Sequence, residues 1–355
     1  MGFSVPPGAP SASEPLASSE APVRPRRRRR AWPVLVGLST LATGVAVAVP
    51  IASWTAADTQ YVHDAYVAWS EPVSDRVAAI AQATGMSAAG ELVYRASRPA
   101  VEDREVFTEH CALEGGAVLG CYAAGTIYVY DVTDARLAGT VEVTAAHEML
   151  HAAYERLSDA EREEADALVA GYVADIPADD PVHQDLALYA PEQLADEWHS
   201  RLGTEFADLP EALERHYARW FDDRGKVLAL HAEANAAFRA LQEQIDALVA
   251  EVDALGPAVD ERIAAYESAA AQYGADVASF NARAADGSFT SQEQFDRERA
   301  GLVARGERLD AEVAAINEQV ARYNDLVAQL TALDADYAEL YSALDPTSDP
   351  ETVSP

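Results

Sequence analysis

Apolar residues recur three and four positions apart through most of the second half of the chain, and that rhythm sets the first expectation. Phe238, Leu241, Ile245, Leu248, Val252 and Leu255 begin a run that continues through Val259, Ile263, Tyr266, Ala270, Tyr273, Val277 and Phe280. A second run holds Leu309, Val313, Ile316, Val320, Tyr323, Val327 and Leu330, then shifts phase near Leu333 before Tyr337, Leu340 and Leu344. Such alternation keeps one stripe of each helix against a partner, so both runs read as coiled-coil arms. Between them, Gly287 can end one helix in the left-handed conformation, and Thr290 with Glu293 can cap the next. Residues 226–345 are therefore expected to fold back as an antiparallel hairpin, kinked rather than ended at Gly256-Pro257. Its arms have similar seams, so the rod is expected to be self-sufficient and dispensable for chemistry elsewhere in the chain.

The preceding part patterns differently. Residues 55–69 and 74–85 read as short helices, and "ELVYRAS" at 91–97 opens a region of strand character. Alternation is clearest in "TIYVYDV" at 126–132, where β-branched and aromatic residues follow a Gly-bounded turn, as in a small sheet. Helix signals then return. Thr140 or Thr144 can cap "TAAHEMLHAAYERL" at 144–157, and Ser158 with Glu161 forms a capping box. A polar connector at 174–185 follows, and Pro191 is expected as the first residue of a helix ending near Gly203.

Upstream, Trp32 and Trp54 bracket an uncharged stretch long enough to cross a bilayer core of about 30 Å. Before it lies a Pro-, Ser- and Ala-rich segment ending in Arg26–Arg30, a composition too polar to fold. Arginines next to a span stay in the cytoplasm, so residues 1–31 read as a cytoplasmic tail and 32–54 as a single-pass anchor in the cell membrane. The remainder is then extracellular. The competing reading is a cleaved signal peptide with Ala46-Val47-Ala48 at its cleavage site.

Charge adds to this picture. The formal net charge is -33; the tail carries +4 and the apolar stretch none, which leaves -37 for the outer part. A surface this acidic repels nucleic acid. Cys111 and Cys121 are the only cysteines and would face an oxidising compartment, so a disulfide is expected, with unpaired buried thiols as the alternative. Residues 346–355 read as a disordered tail.

The candidate chemistry lies in His147-Glu148-Met149-Leu150-His151. Histidines four apart stand one above the other on a helix, so both can turn a ring nitrogen to one ion about 2.1 Å away. Glu148, beside them, can take a proton from a metal-activated water and deliver it to a leaving amine. Met149, Leu150 and Ala153 face the other way. The bland reading of the same motif is two solvated helix histidines.

The stretch "VTAAHEMLHAA" resembles the active-site helix of the zincin metallopeptidases, and "GTIYVYDV" upstream stands where that superfamily keeps the edge strand that pairs with extended substrate. The resemblance covers about residues 90–205. It implies a zinc endopeptidase acting on protein or peptide substrates, with His147 and His151 as Zn2+ ligands and Glu148 as general base. The implied fold class is α+β: a small catalytic domain over residues 55–225, with a short mixed sheet and active-site helix, ahead of the coiled-coil hairpin.

A third protein ligand is needed. On "PEQLADEWHSRLG", residues 191–203, Leu194, Trp198 and Leu202 form a buried stripe flanked about equally by Glu197 and His199. Glu197 is preferred, His199 the alternative. An acidic ligand here resembles the gluzincin branch, although Asp196 stands where Asn commonly precedes that ligand. His63, His110, His183, His216 and His231 lack partners at ligand spacing and read as surface or packing residues. Tyr154 and Tyr189 can reach an oxyanion but suit packing better. Two other functions fit the pattern: an inactive envelope protein whose arm recruits a protein partner, or a zinc hydrolase of cell-wall peptides.

Overall fold

The computed structural model describes residues 56–111, 118–187 and 189–347. The expected tail at 1–31 and anchor at 32–54 lie outside these residues, as does the chain beyond Thr347. Among the described residues no helix is long and apolar enough to cross a membrane.

Helices α1 (Ala56–Ser70), α2 (Asp75–Ala83) and α3 (Ala88–Ala96) come first. Helix α3 occupies the place where strand character was expected. Ser87 caps it by accepting from Gly90 N, and Val93, Tyr94 and Ala96 bury one face. A stretch as short as 91–97 cannot separate the two periods, so tertiary burial decides. Next come β1 (Ala100–Glu102), α4 (Arg104–His110), β2 (Gly120–Ala123) and β3 (Thr126–Tyr130). The sheet order is β1-β3-β2, with β1 parallel and β2 antiparallel to β3. The 126–132 stretch is therefore the central strand and not the edge. Its Ile127, Val129 and Tyr130 are buried, and that apolar density suits a strand paired on both sides. Among the described residues, β2 pairs only with β3. Cys111 and Cys121 are disulfide-bonded, Cα atoms 5.9 Å apart, and tie β2 to the end of α4.

A 3-10 turn at Ala135–Leu137 leads to α5 (Thr140–Glu155). Gly139, with φ of 92°, takes the N-cap position, and neither expected threonine does. The Thr140 hydroxyl donates backwards to Leu137 O. Helix α5 is the centre of the core: Ala145, Ala146, Met149, Leu150, Ala152 and Ala153 are fully buried. Helices α8 (Leu194–Glu205) and α10 (Arg224–Ala234) pack on it, α6 (Asp159–Val173) packs on α8 and on α9 (Glu211–Tyr217), and α7 (Val182–Leu186) adds Val182 and Leu186 to the same core. The Ser158–Glu161 capping box opens α6. Helix α7 overlaps the end of the stretch read as connector, and α8 starts three residues after Pro191.

Two close approaches fix the frame. A Cβ on Gly203 would stand 2.3 Å from Leu150 Cδ1 and 2.9 Å from Tyr217 Cε1, so a side chain where α8 crosses α5 would force both to shift. Overpacking there would cost about 1–3 kcal/mol. Buried Val227 carries α10 into the same core. The globular part thus runs to Ala234, past the expected boundary at 225.

Helices α11 (Ala236–Asp286) and α12 (Gln292–Leu344) form the antiparallel hairpin, 51 and 53 residues long, roughly 75–80 Å at 1.5 Å per residue. Gly287, with φ of 75°, ends α11, and Pro257 lies inside it. Ser291 rather than Thr290 caps α12, its side chain accepting from Gln294 N. Along α12 the phase shift falls earlier than expected, because Leu326 is buried and Val327 faces solvent. From Tyr323 the inward residues then run Leu326, Leu330, Leu333. Arg262–Glu312, Arg283–Glu298 and Arg322–Glu251 pair across the arms. Exposed pairs are each worth about 0–1 kcal/mol, so the apolar seam supplies most of the hairpin's stability.

Candidate metal centre

One turn of α5 separates His147 from His151, and their Nε2 atoms lie 3.0 Å apart. The crossing of α8 over α5 brings Glu197 to both: Oε1 is 3.6 Å from His147 Nε2, and Oε2 is 3.4 Å from His151 Nε2. These residues can offer three ligand atoms to one metal ion. Ligand atoms at about 2.0–2.1 Å from a tetrahedral ion stand roughly 3.3 Å apart, so the spacings and the two-imidazole, one-carboxylate donor set both suit zinc.

Two of the three donors are held from behind. Asp196 Oδ1 lies 2.9 Å from His151 Nδ1, which turns the other ring nitrogen towards the shared point. Arg201 Nε donates to Glu197 Oε1 at 3.0 Å. Asp185 and Glu205 stand 3.6 and 3.7 Å from Arg201 Nη1. The electrostatics follow from this packing. Burial works to raise the Glu197 pKa, but hydrogen bonds from His147 and His151 outweigh it and hold the carboxyl well below the usual carboxylate range. Burial likewise opposes the His151 cation, and Asp196 with Glu197 more than compensate, raising its pKa. An anionic pocket that already stabilises positive charge is suited to a cation.

Glu148 is buried beside this group, and burial pushes its pKa up against the opposing charges of His151 and His147. Its carboxylate abuts Gly120 at the start of β2. The triad, Glu148 and the β2 edge line one cleft of about 970 Å³.

His199, the alternative ligand, is turned away from the two motif histidines. It is fully buried, with Nε2 2.8 Å from His216 Nε2 and its ring against Tyr154 and Tyr217. Tyr154 also faces away, donating to Asp166 Oδ1 at 2.7 Å. Tyr189 lines the cleft, and burial pushes its hydroxyl up to about 12, so it remains a donor at neutral pH.

Several cleft residues gave no sequence signal. His110 and His231, read as surface or packing residues, line the cleft, and His110 Nδ1 is 2.8 Å from Glu102. Phe238, Tyr341 and Leu344 enter from the base of the hairpin, so the rod is not separate from the cleft. In the sequence Asp196 stands out only as a departure from the expected Asn, not as a partner of His151. No protein-family model matches this chain, and no curated protein or solved structure shows significant similarity to it.

Proposed function

We propose that this chain is a zinc metallopeptidase of the zincin type, anchored by residues 32–54 with its catalytic part outside the cell. The observation that carries the reading is the convergence of His147, His151 and Glu197 in one cleft with a buried carboxylate, Glu148, that is not needed as a ligand. Two imidazoles and a carboxylate are the donor set of a catalytic zinc site, which keeps a fourth position open. Zinc, when bound, supplies Lewis acidity, polarising a carbonyl and lowering the pKa of water.

The chain's own residues account for the rest. Glu148 takes the proton of the attacking water and passes it to the departing amine. Burial raises its pKa above the ordinary carboxylate value, the direction that helps it hold the proton between the two halves of that transfer. Asp196 and Arg201 hold His151 and Glu197 in place. The outer edge of β2 carries backbone donors and acceptors that an extended peptide can pair with as an added strand. Tyr189, which lines the same cleft, can donate to an oxyanion.

The test compares wild type with Glu148→Gln on mixed unstructured peptides while zinc content is measured in parallel. Wild type should cleave, and the variant should keep its zinc with turnover reduced at least about a hundredfold. Equal turnover would remove Glu148 as the base. Zinc loading without cleavage in the wild type would remove the peptidase reading.

A further inference from the structure

Helix α1 leaves uncovered a face that water does not favour. Tyr61, Val62, Tyr66 and Trp69 are all half or more exposed, Trp69 at 81%, and the Tyr66 and Trp69 rings stand 6.3 Å apart. At 100° per residue the four fall on one side of the helix, opposite Asp64 and Val67, which are buried. That opposite side is locked. Arg156 Nε donates to Asp64 Oδ2 at 2.9 Å, and Arg95 Nη2 donates to Ala68 O at 3.0 Å. The aromatic face therefore cannot roll inward, and contiguous exposed aromatics mark a contact surface.

The sequence identifies the occupant. Helix α1 begins two residues after Trp54, the end of the uncharged stretch from Trp32, and two residues span about 7 Å at most. If that stretch spans the bilayer, the start of α1 is confined to the headgroup region. Tyrosine and tryptophan are the residues favoured there, with apolar rings and a polar edge. The flanking charges do not form a basic cluster, since exposed Arg98 is paired with Glu71, so contact would come from the rings and not from anionic lipid.

We propose that the Tyr61–Trp69 face of α1 lies in the headgroup layer of the bilayer and holds the globular part against the membrane surface. The inference rests on the anchoring part of the proposed function and not on its zinc chemistry. A helix so placed would sit about 5–10 Å into the headgroup and acyl boundary.

The experiment uses the full chain in phosphatidylcholine vesicles, with the photocrosslinker p-benzoylphenylalanine replacing Tyr66 or, as control, the exposed Val303 of α12. Lipid adducts should form at Tyr66→p-benzoylphenylalanine with a yield at least about tenfold above the control, and should persist at high salt. Adducts to a second copy, or to this chain's residues 1–54, would overturn the proposal by naming another occupant. Equal yields at the two positions would overturn it as well. Carbonate extraction of the same vesicles reads anchoring separately. Release of the chain would defeat the anchor reading and the proposal together, whereas retention without lipid adducts would defeat the proposal alone.

Discussion

The side chains of Glu148 and Thr144 fill the space that a side chain on Gly120 would need: a Cβ there would stand 2.8 Å from Glu148 Oε1, 2.9 Å from its Cγ and 2.6 Å from Thr144 Cγ2. The edge strand and the candidate base are thus fitted to each other through a missing methyl group. Gly120→Ala should push Glu148 off its position while leaving the three ligand atoms alone. A misplacement of about 1 Å can lower kcat by up to about a hundredfold. Peptide turnover and zinc content of the variant check this, and unchanged turnover would show that the fit does not matter.

Asp196 reaches His151 Nδ1 at 2.9 Å and does not compete for the shared point. Losing such an outer partner typically weakens metal binding about 10- to 100-fold. Asp196→Ala should fall in that range, and Asp196→Asn, which still offers an oxygen to the ring N–H, should fall short of it. Competition with a zinc chelator measures both.

Much of this arrangement could be read from local signals. The hairpin follows from apolar spacing that only nearest neighbours determine, and the 158–161 capping box is a four-residue statement. His147 and His151 share a face because a helix has 3.6 residues per turn. What escaped depends on packing between distant segments. "ELVYRAS" is too short to choose between periods, so its helix is set by burial of Val93 and Tyr94. Glu197 and His199 flank their stripe symmetrically, and the approach of α8 at Gly203 decides which one meets the histidines. Gly120, Arg201 and the hairpin base reach the cleft only through tertiary structure.

Buried His199 carries a stability prediction with a definite sign. Burial, and then the charge of His216, hold its pKa well below the ordinary histidine value. The unfolded chain takes up a proton near pH 6.5 that folded His199 refuses, so its contribution is fully present above that pH and is lost as pH falls towards the folded pKa. In chelator-treated protein, His199→Gln should flatten the loss of unfolding free energy below pH 6.5 by up to about 1.4 kcal/mol per pH unit. Denaturant titrations of both proteins at several pH values read this, and parallel slopes would contradict it.

The base of the hairpin should affect substrate binding more than chemistry. Phe238 and Tyr341 line the cleft, and Arg136 Nη2 holds Glu339 at 2.6 Å, joining α12 to the globular part. Removing a contact made equally in the ground and transition states raises KM and spares kcat. Tyr341→Ala and Phe238→Ala should each raise KM several-fold, about 1 kcal/mol of lost apolar contact, with zinc content unchanged. A fall in kcat at constant KM would place the hairpin in the chemical step instead.

In the proposed site His147, His151 and Glu197 together hold one zinc ion. Elemental analysis of purified wild type, Glu197→Ala and His199→Ala, equilibrated with equal free zinc, tests it most directly. About one zinc per chain is expected in the wild type and in His199→Ala, with little or none in Glu197→Ala, because a site reduced to two protein ligands binds weakly. Full zinc occupancy in Glu197→Ala, or loss of zinc in His199→Ala alone, would contradict the account.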